Sequence, residues 1–189
     1  MTVVVATHNQ GKAREFARLL DGFSIKTLAD CGVTEVPEET GGTFLENARI
    51  KAQAAMEATG FPALADDSGL CVDALGGAPG VHSARFAAPG RRKETLLRMM
   101  EGKTDRKARF VSAVVLAYPG GREITAEGVC EGEIAYEPKG ANGFGYDPIF
   151  LLPEYHRTMG EITPEEKNAV SHRGRAIREL IRLLGECGE

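Results

Sequence analysis

The sequence predicts an α/β fold: a mixed, partly parallel β-sheet with helices on its faces. Three observations carry that prediction. Apolar, strand-like runs alternate with stretches of helical period through the first half of the chain, giving the order β-α-β-α-β. Two further apolar runs, joined by Pro119-Gly120-Gly121, insert an antiparallel hairpin. A final stretch of helical period follows. The 189 residues suit one α/β domain or two lobes sharing a core, and 42% hydrophobic with 26% charged residues is an ordinary globular balance.

Thr2–Ala6 is β-branched and apolar, a buried strand by composition. The polar turn Thr7-His8-Asn9-Gln10-Gly11-Lys12 follows, and then Ala13, Phe16, Ala17 and Leu20 mark one face of a helix. Free backbone N–H groups at such a helix start bind anions, and Lys12 adds a positive charge there. An Asn N-cap beside a surface Lys is the alternative. The spacing is not that of a Walker A loop. Ser24–Thr27 predicts a second strand, and Val36–Gly42 an acidic loop. Thr43 and Glu46 form a capping box opening a helix to about Thr59, with Phe44, Ala48, Ala52, Ala55 and Met56 as its apolar stripe. Thr43, Asn47 and Lys51 share another, polar face. Capping accounts for Glu46. Nothing local accounts for Glu39, which makes it a candidate ligand.

Phe61–Ala65 is apolar and delivers Asp66 and Asp67 side by side, read here as the end of a strand before Ser68 and Gly69. Adjacent carboxylates repel and resist burial without a cation, although a solvated turn uses the same residue types. Leu70–Leu75 leads into the loop Gly76–Gly80. Lys93–Glu101 predicts a short helix with Leu96, Leu97 and Met100 inward. Phe110–Tyr118 and Arg122–Cys130 form the hairpin, with no catalytic signal. Gly140–Phe150 sets Phe144, Gly145, Tyr146 and Asp147 in a Gly-rich loop, where a ring can lie open for stacking or fill the core. Thr163-Pro164-Glu165-Glu166 is a second capping box. Ile177, Leu180, Ile181 and Leu184 give the last stretch its inward face; Gly174 leaves open whether it is one helix or two. Lys167, His172 and Arg173 could equally be a solvated charged face.

Net charge is −4, Trp is absent and aromatics are sparse, so nothing points to nucleic acid as a partner. Cys31, Cys71, Cys130 and Cys187 form no C-x-x-C pair, and the histidines offer no zinc spacing. Cys71 and Cys130 read as small core residues, which fits a reducing compartment. The N-terminus lacks a signal-peptide pattern and no run is long enough to span a membrane, so the expectation is a soluble, cytoplasmic protein.

Together, Glu39, Asp66 and Asp67 want a divalent cation, and Lys12, Lys51, Lys167 and Arg173 suit phosphates. An anion-ready helix start and an aromatic in a Gly loop complete the outline of a nucleoside triphosphate site. Mg²⁺ usually takes one or two carboxylates plus phosphate oxygens and water. Hydrolysis is the economical chemistry. A nucleotide-sensing module would not need the placed carboxylates. A Rossmann oxidoreductase would need a Gly-rich fingerprint that Thr7–Lys12 lacks.

The same segments resemble the inosine triphosphate pyrophosphatase family. THNQGK at Thr7–Lys12, TFLENA at Thr43–Ala48, ADDSGL at Ala65–Leu70, LGGAPGVHSARF at Leu75–Phe86, GFGYDPIF at Gly143–Phe150 and TPEEKNAVSHRG at Thr163–Gly174 follow that family's order over essentially the whole chain. His8 stands where many members carry a small or polar residue. The resemblance implies one catalytic domain over residues 1–189, two-lobed, with a long curved mixed sheet and the active cleft between lobes. It implies hydrolysis of deaminated purine nucleoside triphosphates to monophosphate and pyrophosphate, cleansing the nucleotide pool. It further implies a homodimer with one Mg²⁺ per subunit, for which Mn²⁺ can substitute. By matching position, Asp67 is the general base and a metal ligand, and Glu39 the other metal carboxylate. Thr7, His8, Asn9, Gln10, Gly11, Lys12, Lys51 and Ser68 would line the triphosphate site. Phe144, Gly145, Tyr146 and Asp147 would hold the nucleoside, and Lys167, His172 and Arg173 would contact base and phosphate. A donor such as Arg173 would favour a base with an O6 acceptor over adenine.

Overall fold

The computed structural model describes residues 1–35 and 37–186; Val36 and Cys187, named above, lie outside them. In chain order the elements are β1 (Thr2–Val5), α1 (Gln10–Leu19), β2 (Ser24–Thr27), α2 (Phe44–Thr59), β3 (Ala63–Val72), α3 (Arg92–Met99), β4 (Lys107–Ala117), β5 (Glu123–Ile134), β6 (Phe150–Leu152), β7 (Arg157–Thr158), α4 (Pro164–Val170) and α5 (His172–Glu186). Seven strands form one mixed sheet in the order β2-β1-β3-β4-β5-β6-β7. β1 lies parallel to both β2 and β3. From β3 onward every pairing is antiparallel. No described helix is long and apolar enough to cross a membrane.

β3 is where sequence reading and structure part. Asp66 and Asp67 do not end a strand. They sit inside a continuous ten-residue strand, opposite Val114 and Ala113 of β4. Pairing with β4 along its whole length satisfies that edge of β3. β1 covers the other edge only at Ala63 and Leu64 and then stops. β3 therefore runs on beyond the end of its parallel neighbour and leaves a crevice at the carboxyl end of β1, the usual ligand position in such sheets. Gly69 is not a turn residue. A Cβ there would come within 2.3 Å of the Gly80 carbonyl oxygen, so glycine lets the segment Gly80–His82 lie directly on the strand.

Successive side chains of a strand point to opposite faces. On β3, Leu64 packs into the core shared with Phe16 and Leu20 of α1 and Ile177 and Leu180 of α5. Ala63 and Ala65 pack against Ala48, Ala52 and Ala55 of α2. A third cluster, with Leu96, Phe150 and Ile162, fills the far end of the sheet. From Ala63 to Ser68, even positions of β3 thus face α1 and α5 and odd positions face α2, while Leu70 and Val72 join the third cluster.

The predicted elements are present, with four differences in detail. Ala17 is exposed, and α1 turns inward through Phe16 and Leu20 instead. Ile181 is exposed, and α5 packs into the core through Ile177, Leu180 and Leu184. Asn47, assigned to a polar face, is fully buried. The last stretch is two helices, and the break falls at Ser171, which takes extended backbone (ψ 158°), rather than at Gly174. Ser171 Oγ then accepts from the Gly174 N–H at 3.1 Å, opening α5. Gly174 serves close packing: a Cβ would meet the Asn168 carbonyl oxygen at 2.0 Å.

α5 also rests on glycine. At Gly128 of β5 a Cβ would stand 2.1 Å from the His172 carbonyl oxygen and 2.5 Å from the Ala176 nitrogen, both backbone. Gly128→Ala should therefore lift the start of α5 and destabilise the fold by about 1–3 kcal/mol, the usual cost of overpacking. Thermal unfolding checks this; an unchanged melting temperature would show that α5 shifts freely.

Candidate active site

The crevice beside β3 opens into a cleft of about 780 Å³. One end is the turn after β1. Asn9 caps α1, its Oδ1 accepting from the Lys12 N–H at 3.1 Å, and Thr7 Oγ1 accepts from the Asn9 N–H at 3.1 Å. Thr7, His8, Asn9 and Lys12 line the cleft. Gln10 is exposed and does not line it. Gly11 lies beneath Phe144, whose ring would stand 2.6 Å from a Cβ at that position. The helix start is thus pressed against the Gly-rich loop.

Strand alternation separates the two aspartates. Asp66, on the even face, accepts from Lys12 Nζ at 3.0 Å and from Arg173 Nε and Nη2 at 3.1 and 2.8 Å. Arg173 Nη2 also reaches Ser68 Oγ at 2.9 Å, and its Nη1 pairs with Glu15. The other Glu15 oxygen meets Lys167 Nζ at 2.7 Å, and Lys167 meets Asp147 Oδ2 at 2.6 Å. That same Asp147 oxygen accepts from the Phe144 N–H at 2.7 Å. A line of alternating charge, Lys12–Asp66–Arg173–Glu15–Lys167–Asp147, so ties the turn after β1 to the Phe144 loop through the core.

Burial alone would raise the Asp66 pKa, but Arg173, Lys12 and Lys51 hold it far below the carboxylate range. For Glu15 too, burial opposes ionisation, and Arg173 and Lys167 outweigh it. Asp147 is pushed up by burial despite Lys167. Arg173 is fully buried. Four of its five N–H donors already have acceptors, which leaves one for a ligand in the cleft that Arg173 lines. Its first task is to hold Asp66, Ser68 and Glu15 in place.

Asp67, on the odd face, meets a different set. Its Oδ2 accepts from Asn47 Nδ2 at 3.2 Å, and its Oδ1 lies 3.4 Å from Lys51 Nζ. Lys51 Nζ also donates to Glu39 Oε1 at 2.6 Å. Asn47 and Lys51 are one turn apart on α2, and the Thr43–Glu46 capping box is formed as predicted, fixing the start of that helix. Burial raises the Asp67 pKa, and the nearby Glu39 charge adds to it. Burial acts the same way on Glu39, but the hydrogen bond and charge of Lys51 bring its pKa below the ordinary value. Lys51 is held protonated: Asp67, Asp66 and Glu39 outweigh its burial.

Among the described residues no three His, Cys, Asp or Glu side chains converge as a complete metal cage. Glu39 and Asp67 instead converge on a single cation, the Lys51 ammonium, at the wall of the cleft. Two hard oxygen donors open to a large cleft fit an Mg²⁺ that takes its remaining ligands from phosphate and water.

At the far end of the cleft Phe144 is half-buried, with Lys167 Nζ 4.6 Å from its ring centroid, and Gly145 beside it lines the cleft. Tyr146 is a core residue. Its hydroxyl donates to the Ser83 carbonyl at 2.9 Å, and burial pushes its pKa up to about 12. His172 is buried and stacks on Phe110 with ring centroids 4.7 Å apart. Burial, with Arg173 and Lys167 nearby, drives its pKa well down, so the imidazole is neutral. Its Nδ1 has no partner among the described residues. Arg92, at the start of α3, also lines this end.

Sequence reading missed Glu15, Asn47 and Arg92 at the cleft and its framework. The one signal that the sequence carries for Glu15 is its place one turn after Lys12. The period of two along β3 could have assigned Asp66 and Asp67 to different faces.

A model described as the Ham1 family matches residues 3–183 of the chain. The chain is 50% identical over 186 residues to a dITP/XTP pyrophosphatase of Exiguobacterium, covering 95% of each protein. It is 48% identical over 191 residues to one of Bacillus subtilis, covering 96% of each. Among solved structures, a HAM1 protein from Coxiella burnetii superposes with a TM-score of 0.88 at 44% identity, over 98% of this chain and 99% of that one. The Staphylococcus aureus Ham1 protein gives 0.87 at 39% identity, over 98% and 100%.

The charge line makes a prediction about stability. Glu15→Gln leaves Arg173 and Lys167 short of a buried counter-charge, a loss of about 3–5 kcal/mol at neutral pH. The folded pKa of Glu15 lies below its ordinary value of 4.5, so its contribution is full above that value and fades as pH falls through the lower, folded one. Urea unfolding of both proteins across pH should show the gap closing towards acid. A gap that is constant with pH would contradict the ionised pairing.

Proposed function

The chain belongs to the Ham1 family, and on that premise we propose that it hydrolyses deaminated purine nucleoside triphosphates (dITP, ITP and XTP) to the monophosphate and pyrophosphate. The role is to clear non-standard purines from the nucleotide pool. One observation carries the reading: Glu39 and Asp67 face a common cation at the cleft wall, with Lys12 and the α1 start on one side and the Phe144 ring on the other.

Asp67 is the general base in this reading. Its raised pKa suits proton acceptance better than that of Asp66, which its cations keep ionised and occupied. Glu39 and Asp67 would hold Mg²⁺, which when bound would supply charge stabilisation at the phosphoryl oxygens. Thr7, Asn9 and the backbone of the turn, with Lys12 and Lys51, hold the triphosphate. Phe144 stacks on the base. Neutral His172, with an unpartnered Nδ1, reads its edge by hydrogen bonding, which lets a site reject a base whose groups would be left unpaired. Gln10 and Gly11 act through the shape of the turn. The chain works as one catalytic unit, in a homodimer, in the cytoplasm.

The test is a panel of purine nucleoside triphosphates with Mg²⁺, scored for pyrophosphate against orthophosphate. Inosine, deoxyinosine and xanthosine triphosphates should release pyrophosphate, with adenosine triphosphate slower by about a hundredfold or more. Orthophosphate as the product, or equal rates on all bases, would overturn the reading. Asp67→Asn should lower turnover of inosine triphosphate about 10²–10⁴-fold; near-normal turnover would mean that Asp67 is not the base. Phe144→Ala should raise KM more than it lowers kcat, by the about 1–3 kcal/mol that one base–aromatic stack is worth. An unchanged KM would place the base elsewhere.

A further inference from the structure

We infer that Lys51 is a positioning residue: it is the resident counter-cation of the Glu39–Asp67 pair and passes from the carboxylates to the triphosphate when a divalent cation binds. This rests on the reading of Glu39 and Asp67 as the cation site. The geometry that motivates it is the two contacts of one ammonium, 2.6 Å to Glu39 and 3.4 Å to Asp67. Two carboxylates that share one ammonium repel each other, and the cation between them offsets that repulsion. Other groups are poorly placed to take the role. Lys12 is engaged by Asp66, and so is Arg173. Arg85 lies 3.8 Å from the outer oxygen of Glu39, with a side chain 53% exposed.

Charge balance favours the exchange. Two carboxylates and Lys51 sum to minus one. Adding a divalent cation brings the sum to plus one, a surplus that suits an anionic triphosphate. The ammonium sits on a flexible four-carbon stem and can turn to new acceptors without moving α2. Lys51 thus keeps the carboxylates facing each other before substrate arrives and competes with a bare metal ion for them. Metal and triphosphate each favour the other, as linkage requires of two ligands coupled through one group.

The experiment is a titration of Mn²⁺ alone, without nucleotide, at about pH 8 so that carboxyl protons do not compete. Wild type, Lys51→Met and Lys12→Met are compared by the paramagnetic signal of free Mn²⁺ and by the shift in melting temperature that Mn²⁺ causes. Lys51→Met should bind Mn²⁺ more tightly than wild type, by a factor within the about 5–150-fold usual for coupled ligands. Its melting temperature should also rise more on adding Mn²⁺. Lys12→Met should gain distinctly less, since its ammonium contacts Asp66 and acts on Asp67 and Glu39 only at longer range. Equal or weaker affinity in Lys51→Met would overturn the exchange and leave the cation site standing. An equal gain in Lys12→Met would reduce it to a general field effect and overturn it as well. If none of the three binds Mn²⁺, the cation site itself falls. Lys51→Gln, which keeps a polar end, replaces Lys51→Met should that variant not fold, and is read the same way.

Discussion

Two adjacent carboxylates inside a buried strand are the constraint around which this protein is built. Neither aspartate can be ionised there without its own cation. The pleat of β3 sends them to opposite faces, so each finds a different one. Asp66 takes Lys12 and Arg173 on the side of α1 and α5. Asp67 takes Lys51, with Asn47, on the side of α2. The first aspartate is committed to architecture: through Arg173, Glu15 and Lys167 it joins the turn after β1 to the Phe144 loop. The second is left buried at the cleft wall, 3.4 Å from its partner. The difference between a structural and a reactive carboxylate comes here from one step along a strand.

The fold provides the cleft by a mismatch of lengths. β1 has four residues and β3 has ten, so β3 outruns its parallel neighbour and bares one edge. The Gly80–His82 segment covers part of that edge, admitted by Gly69. α2 supplies one wall, with Asn47 and Lys51 facing Asp67. The break at Ser171 lets α4 and α5 each deliver part of another, Lys167 from one and His172 with Arg173 from the other. Glycines 128 and 174 set how closely these helices approach.

Much of this was legible in the sequence, for identifiable reasons. Both capping boxes were readable because their hydrogen bonds are local. The bounds of β2 followed from composition, and the end of α2 predicted near Thr59 matches a helix that Gly60 closes in the left-handed conformation. What is not local was missed. Asp66 and Asp67 read as the end of a strand before Ser68 and Gly69, because residues of these types favour turns; pairing with β4, more than forty residues later, carries the strand through them. Arg173 reads as a free donor until Glu15, 158 residues away in the chain, is seen to occupy it. Tyr146 and Phe144 share a Gly-rich loop and both line the cleft, yet Tyr146 is buried, its hydroxyl held by the Ser83 carbonyl, while Phe144 is half-buried.

The division of labour between the two aspartates can be measured directly. Asp66→Asn and Asp67→Asn are unfolded thermally side by side, with no metal or nucleotide added. Removing the Asp66 charge leaves Arg173 with Glu15 alone and Lys12 at the cleft wall without its counter-charge, and the loss should be about 3–5 kcal/mol, or about 6 °C or more in melting temperature. Removing the Asp67 charge relieves its repulsion with Glu39 while Lys51 keeps Glu39, so that protein should melt within about 2 °C of wild type or above it. Equal losses, or a larger loss in Asp67→Asn, would contradict the assignment of Asp66 to the framework and Asp67 to the chemistry.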